Sequence, residues 1–382
     1  PAVTLIDETR DMVRRQYGQA VGQPAESVTT PALLLDLPAA RRNIQRMAEG
    51  MAVFPAALRP HVKGHKSPDL ALLQQQAGAQ GFSTATVWEA VVLAEAGLDD
   101  LFVVNTVTDP TKIGVLADLA RERRVLVAVD DLANAGDLSR AAVKSGSELD
   151  VLVEIDTGMR RAGLTEPNAA ADLARKVSEL PGLRFQGVTG YEGHCSLEDD
   201  VSRRTIKQRA AMDVLLAAVI AIESVGVPCP IVSAGGTRTW WLTAATPGIT
   251  EIQAGTYLLM DRFHGGVDGG FEPAVTVLST VISRSRDRVV VDAGNKSVAA
   301  PELTAIAGYD VAYFRFDEEH GLFTAPTDGK LAIGEVVRLL PGYAPSTVNM
   351  YDAYHVVEDG TVVDIWPIVP RGPGHHGLAV LS

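Results

Sequence analysis

The chain has 382 residues, enough for one large domain or two ordinary ones, and 46% of them are hydrophobic, with 35 Gly and 21 Pro. A net charge of −13 weighs against nucleic acid and anionic membranes as partners, and no apolar run approaches the roughly 18 residues needed to span a bilayer. Two cysteines, Cys195 and Cys229, make no disulfide framework, and the charged opening stretch PAVTLIDETRDMVRRQYG does not read as a secretory signal, so a cytoplasmic protein is expected.

In chain order, residues 5–18 read as a short helix within an N-terminal extension covering 1–28. Apolar strands then alternate with helical patterns. TPALLLDL at 30–37 reads as the first strand, with a helix over 38–52. A second extended run, Ala56 to Val62, leads to Lys63 and is followed by a helix over 68–77. GFSTAT, LFVVNTV, RVLVAVD, LDVLVEID and FQGVTGYEGH follow as strands, each leading into a helical pattern (87–96, 109–121, 132–145, 167–179 and 201–225), and PIVSAGG closes the series. Eight such strands in about 230 residues predict a (β/α)8 TIM-type barrel over 29–265, with an open doubly wound sheet as the fallback. No dinucleotide fingerprint follows the first strand. After residue 265 strands dominate, ending in a hairpin that turns at Asp359-Gly360. They predict a smaller C-terminal all-β domain over 266–382.

Barrel active sites lie at the C-terminal ends of the strands, so polar residues that follow apolar strands are the candidates. The first is Lys63, in a run from Leu58 to Lys66 that holds five basic or imidazole side chains. Desolvation and neighbouring cations lower a lysine's pKa and make its amine usable for a Schiff base, although the same cluster also reads as a surface patch or an anion site.

The run RPHVKGHKSPDLA resembles the lysine segment of the D-threonine aldolase and D-serine dehydratase family, and the resemblance extends from about Thr30 to Pro370. These are pyridoxal-phosphate (PLP) enzymes with an alanine-racemase-like barrel. The resemblance implies that Lys63 carries PLP, with His61 beside it. Asp156-Thr157-Gly158-Met159-Arg160-Arg161 is similar to an alanine racemase segment that would put Arg161 next to the PLP phenolic oxygen, where a permanently charged guanidinium can meet an anion. Tyr191-Glu192-Gly193-His194 matches a family segment in which Tyr191 would line the ring. His194 would take the substrate hydroxyl proton, or else be an ordinary core histidine.

Two glycine-containing segments follow the last strands. Gly235-Gly236-Thr237 offers backbone amides to a phosphate, and Gly255 and Thr256 match the family's second phosphate loop. Gln253 falls where alanine racemase has an arginine facing the pyridine nitrogen, so a neutral partner is implied there. Asp317-Glu318-Glu319-His320-Gly321 resembles a family segment through which the β domain completes the site. The family's divalent-metal pair aligns with Tyr343 and Pro345. Proline has no ligating side chain and neutral tyrosine is a poor ligand, so the metal is expected to be lost. His375-His376 in the Gly/Pro-rich tail is a weak substitute.

The resemblance implies a PLP-dependent lyase that cleaves a D-3-hydroxy amino acid to glycine and an aldehyde, with His194 or Tyr343 as hydroxyl base. A metal-independent racemase or epimerase, with Lys63 and either Tyr343 or His320 as its two bases, is the second reading. A D-serine-dehydratase-like ammonia-lyase and a PLP carrier without turnover are the others. Racemase-like barrels pair head to tail, so a homodimer is expected by analogy.

Overall fold

The computed structural model describes residues 4–266, 270–326 and 330–374. The chain forms two compact units. One runs from the opening segment to Arg46 and adds Gly64–Leu73 and Thr256–Gly372; the other comprises Met47–Lys63 and Gln74–Gly255. Among the described residues no helix is long and apolar enough to cross a membrane.

Three elements open the chain: α1 (Leu5–Tyr17), β1 (Ala32–Asp36) and α2 (Leu37–Met51). Thr4 and Asp7 form a capping box at the start of α1, which satisfies amides that the first turn leaves free.

The barrel follows as β2 (Ala57–Leu58), α3 (Pro68–Gln76), β3 (Phe82–Thr84), α4 (Val87–Glu95), β4 (Leu101–Val103), α5 (Pro110–Leu119), β5 (Val125–Val129), α6 (Leu132–Ser145), β6 (Leu149–Glu154), α7 (Pro167–Ser178), β7 (Leu183–Thr189), α8 (Val201–Ser224), β8 (Ile231–Ala234), α9 (Trp240–Ala244) and β9 (Glu251–Ile252). The eight strands β2 to β9 are all parallel, in the order β2-β9-β8-β7-β6-β5-β4-β3. The ends of that order also meet. Gln80 N donates to Leu58 O and Ser83 N to Pro60 O, each at 3.0 Å, and His61 forms a parallel bridge with Ser83. This closes the predicted (β/α)8 barrel. Strands β5 and β6 are buried along their whole length, as continuous apolar runs in a parallel barrel should be. Phe102, Leu126, Ala128, Leu152 and Ile231 cluster in the core, drawn from four strands. The two-residue β2 is fastened by Arg59, whose buried guanidinium meets Glu251 at 2.7 and 3.0 Å and Asp100 at 2.9 Å.

One expected strand is elsewhere. β1 was expected as the first barrel strand, but it pairs with strands of the second sheet, and the eighth barrel strand is the short β9. β1 is apolar and buried on both faces, a pattern shared by barrel strands and by central strands of any covered sheet.

The remaining elements are β10 (Val275–Arg284), β11 (Arg288–Val291), β12 (Ala305–Ile306), β13 (Tyr313–Phe316), β14 (Gly321–Thr324), β15 (Val336–Leu340), α10 (Ala344–Val348), β16 (Ala353–Glu358) and β17 (Thr361–Pro367). With β1 they make a sheet ordered β13-β14-β11-β10-β1-β16-β17, with β15 joining β10 to β12. Only the β1–β16 pair is parallel. Asp359 and Gly360 adopt φ of 48° and 75°, the left-handed pair of a tight hairpin turn. Val13 of α1 and Ala25 pack in one core cluster with Leu34, Leu278, Val357, Val362 and Ile365. The opening stretch therefore contributes core residues to this unit.

Candidate active site

Lys63 sits in a single tight turn, Val62–Gly64, just beyond β2. The His61 ring Nδ1 accepts from the Lys63 amide at 3.3 Å, which fixes the turn. Lys63 Nζ lies 5.6 Å from the centroid of the Tyr191 ring, and the Arg161 guanidinium carbon lies 5.7 Å from the same centroid. Each cation is favoured by the negative face of the ring. Together they concentrate positive charge at the strand C-termini, where an anion would be stabilised. The Tyr191 carbonyl accepts from Thr157 Oγ1 at 3.0 Å. Glycines make room for the ring: a Cβ on Gly193 would fall 2.3 Å from Tyr191 Cε1, and one on Gly236 3.1 Å from Cε2.

Arg161 is half-exposed and lies 3.7 Å from a Glu154 oxygen. Burial at the end of β6 pushes the Glu154 carboxyl above its ordinary range, and the Arg161 charge opposes that rise.

The two glycine segments differ. The Gly235 amide donates to Glu192 Oε2 at 3.1 Å and the Gly236 amide to Thr239 Oγ1 at 3.2 Å. These amides, expected to be open to a phosphate, are spent inside the protein, and Thr237 is buried behind them. The amides of Gly255 and Thr256, by contrast, have no hydrogen bond among the described residues. Gly255 presses against the Lys63 turn: a Cβ there would lie 2.1 Å from His61 O. Gln253 Nε2 donates to Thr189 Oγ1 at 3.1 Å and to Ser233 Oγ at 3.0 Å, leaving its carbonyl oxygen for a ligand.

His194 lies in a short turn, Gly193–Leu197, after β7. Its Nε2 is 3.7 Å from Cys195 Sγ, and its Nδ1 is buried without a hydrogen-bond partner among the described residues. Burial pushes the Cys195 thiol up to about 12, so it stays neutral.

In the other unit, Thr256 is buried at the start of a single turn, Thr256–Leu258. His320 is exposed in the turn between β13 and β14, closed by Asp317 N donating to His320 O at 2.8 Å. Tyr343 immediately precedes α10, and Pro345 lies within that helix. Burial, and then the Asp261 charge, pushes the Tyr343 phenol above its ordinary value. His375 and His376 lie outside the described residues.

A profile of the alanine racemase N-terminal domain matches residues 35–262, and one of a serine dehydratase domain matches residues 274–357. D-threonine aldolase of an Arthrobacter species is 36% identical over 361 residues, 92% of this chain and 95% of that enzyme. The chain belongs to the D-threonine aldolase family. 3-Hydroxy-D-aspartate aldolase of Paracoccus denitrificans (strain Pd 1222) is another member, 35% identical over 93% of this chain and 95% of its own. The crystal structure of D-threonine aldolase from Filomicrobium marinum matches with a TM-score of 0.89 at 35% identity, covering 92% of this chain and 98% of that one.

A member of this PLP-dependent aldolase family needs an amine, a cationic surround and a phosphate seat. Lys63 and Arg161 on the Tyr191 ring, together with the open amides of Gly255 and Thr256, suit those needs. A divalent metal fits less well. Pro345 has no side-chain donor atom, and burial holds the Tyr343 phenol neutral.

Three functional candidates escaped the sequence. Glu192 is buried and accepts from Thr239, Thr243 and the Gly235 amide. Asp261 and His264 are buried together in the other unit. The bare pattern Asp-x-x-His in DRFH was the only available signal for the last two, and such a pair is common in turns.

Proposed function

We propose that this chain cleaves the Cα–Cβ bond of a D-3-hydroxy amino acid of the D-threonine type, giving glycine and an aldehyde. The observation that carries the reading is the placement of Lys63 and Arg161 over one tyrosine ring, at the C-terminal ends of the barrel strands. The names of the two aldolase relatives support the same chemistry. PLP, bound through Lys63, supplies the electron sink for the pair left on Cα. Arg161 binds an anionic oxygen without giving up its own proton. The amides of Gly255 and Thr256 hold a phosphate, and the Gln253 carbonyl oxygen accepts from a ligand N–H. A base takes the hydroxyl proton, and a proton returned to Cα yields glycine.

The reaction in this reading proceeds without a divalent metal, because the side chains at positions 343 and 345 are poor donors. A homodimer and a cytoplasmic location go with it by analogy.

The test is a proton NMR time course of PLP-loaded, chelator-treated protein with D-threonine in D2O. Glycine and acetaldehyde are expected. Exchange at Cα without cleavage would replace the reading with a racemase, and 2-oxobutanoate with a dehydratase.

A further inference from the structure

Strand β6 ends at Glu154, and residues 155–164 leave that end and return to it. The Leu164 amide donates to the Glu154 carbonyl at 2.9 Å, and the Asp156 amide to the Leu164 carbonyl at 3.0 Å. Gly163 makes the return possible: it takes φ 102°, and a Cβ there would fall 2.6 Å from the Asp156 nitrogen. Asp156 accepts from the Gly158 and Arg160 amides at 2.9 and 3.0 Å, and Asp130 from the Gly163 amide at 2.9 Å. The loop so fastened carries Arg161 to within 3.7 Å of a Glu154 oxygen. Glu154 is 6% exposed, a costly place for a carboxylate without a cation, and Arg161 is the cation paired with it among the described residues. Arg161 in turn has two partners among the described residues, Glu154 and the Tyr191 ring, whose centroid is 5.7 Å away. Lys63 Nζ lies 5.6 Å from that same centroid, and all four residues belong to one compact unit.

We propose that Glu154 is a positioning residue of this site: it pins the Arg161 guanidinium against the Tyr191 ring and so keeps a fixed cation close to Lys63. This rests on the function proposed above and adds a residue to it. A guanidinium on a half-exposed loop gains entropy by swinging into water, where its charge is screened. A carboxylate buried at a strand end cannot follow it, so the pair is fixed from the Glu154 side. The other charges that act on Glu154 are those of Asp130 and Asp156, and both of these carboxylates are engaged by loop amides. Arg161 held on the ring opposes a proton on the Lys63 amine, which favours the neutral, nucleophilic form. It also meets an anionic oxygen in a set direction, without the cost of ordering a long side chain at each turnover.

The test follows the pH dependence of Lys63 acetylation by acetic anhydride in the full-length protein freed of PLP, read by mass spectrometry of the Lys63 peptide. R161Q sets the scale: losing the cation should raise the midpoint by about 0.5 pH unit. E154D keeps the negative charge but draws the carboxylate back by one methylene, so it tests position alone. Its midpoint should rise in the same direction, and E154D/R161Q should match R161Q. An unchanged or lowered midpoint in E154D overturns the proposal, as does a further rise in the double variant, because Glu154 would then act without Arg161. If E154D does not fold, E154Q takes its place. There the lost negative charge by itself lowers the midpoint, so a rise marks a released Arg161, and a fall or no change overturns the proposal. Loaded with PLP, E154D should cleave D-threonine with kcat lowered by about 10-fold at nearly unchanged KM, and a kcat within about twofold of wild type removes Glu154 from the reaction. The labelling needs neither PLP nor turnover. A wild type that cleaves no D-3-hydroxy amino acid therefore defeats the proposed function, while the midpoints still decide the role of Glu154.

Discussion

The Thr239 hydroxyl donates to the Glu192 carboxylate at 2.6 Å across 47 residues of sequence, fastening the loop after β8 to the loop after β7. Thr243 Oγ1 at 2.8 Å and the Gly235 amide at 3.1 Å complete the set around this buried acid. Glu192→Ala strands all three donors, so a loss of about 2–4 kcal/mol is expected in urea unfolding of the PLP-loaded protein. Glu192→Gln keeps one good acceptor and should lose roughly half as much. Because the same carboxylate sets the Gly235-Gly236 segment against the Tyr191 ring, PLP titration should show weaker binding in both variants. Equal stability of E192A and wild type would remove Glu192 from this role.

Gly255→Ala is expected to disturb the lysine turn directly. Its Cβ would sit 2.1 Å from the His61 carbonyl oxygen, a backbone atom that cannot rotate away. The strain should cost about 1–3 kcal/mol and displace Lys63. Normal cofactor loading and an unchanged melting temperature in G255A would show that the turn yields without consequence.

Chelation separates two views of positions 343 and 345. Wild-type cleavage of D-threonine is expected to survive exhaustive chelation, with less than stoichiometric divalent metal found by elemental analysis. The double variant Y343H/P345D supplies an imidazole and a carboxylate two residues apart, and it should bind a divalent ion such as Mn²⁺. A wild-type enzyme that loses activity on chelation and regains it with metal would contradict this expectation.

His355 gives a pH signature in the β-sheet unit. Its ring is buried beside Tyr17, with centroids 5.5 Å apart, and burial lowers its pKa below the ordinary value of 6.5 while a hydrogen bond to the Leu33 backbone opposes the fall. A depressed folded-state value means that its contribution is fully present above about 6.5 and is lost as pH falls through the folded-state pKa. Subtracting the pH–melting curve of His355→Gln from that of wild type should therefore leave a difference that shrinks only below about pH 6.5. A difference independent of pH between 4 and 7 would argue against it, on the same linkage.

Much of this architecture was readable in the sequence because local chemistry and burial agree. The helix expected over 132–145 spans Leu132–Ser145, since Asp131 caps its start and Gly146 takes φ 69° at its end. The placement of β1 was not readable. A short apolar run buried on both faces carries no record of its neighbours, and the two residues of β9 are too few to show a pattern. Lys63, Arg161 and Tyr191 stood out because each lies in a motif that is contiguous in sequence. Glu192 and Asp261 did not, because their partners Thr239 and Ala344 lie 47 and 83 residues away, and only the fold brings them together.

The position of β1 also governs the order in which the protein can be assembled. Leu34 is flanked by Thr276 of β10 and His355 of β16, so this strand lies in the middle of its sheet although it is made before the barrel strands. On the ribosome the apolar run Ala32–Leu35 must wait, without either neighbour, while the entire barrel emerges. The barrel strands pair in sequence from β3 to β8 and can close in turn, whereas β1 depends on contacts of very large sequence separation. The nascent chain therefore carries a sticky, strand-forming segment throughout synthesis of the barrel, and chaperone demand should be set by residues 32–36 rather than by the barrel itself.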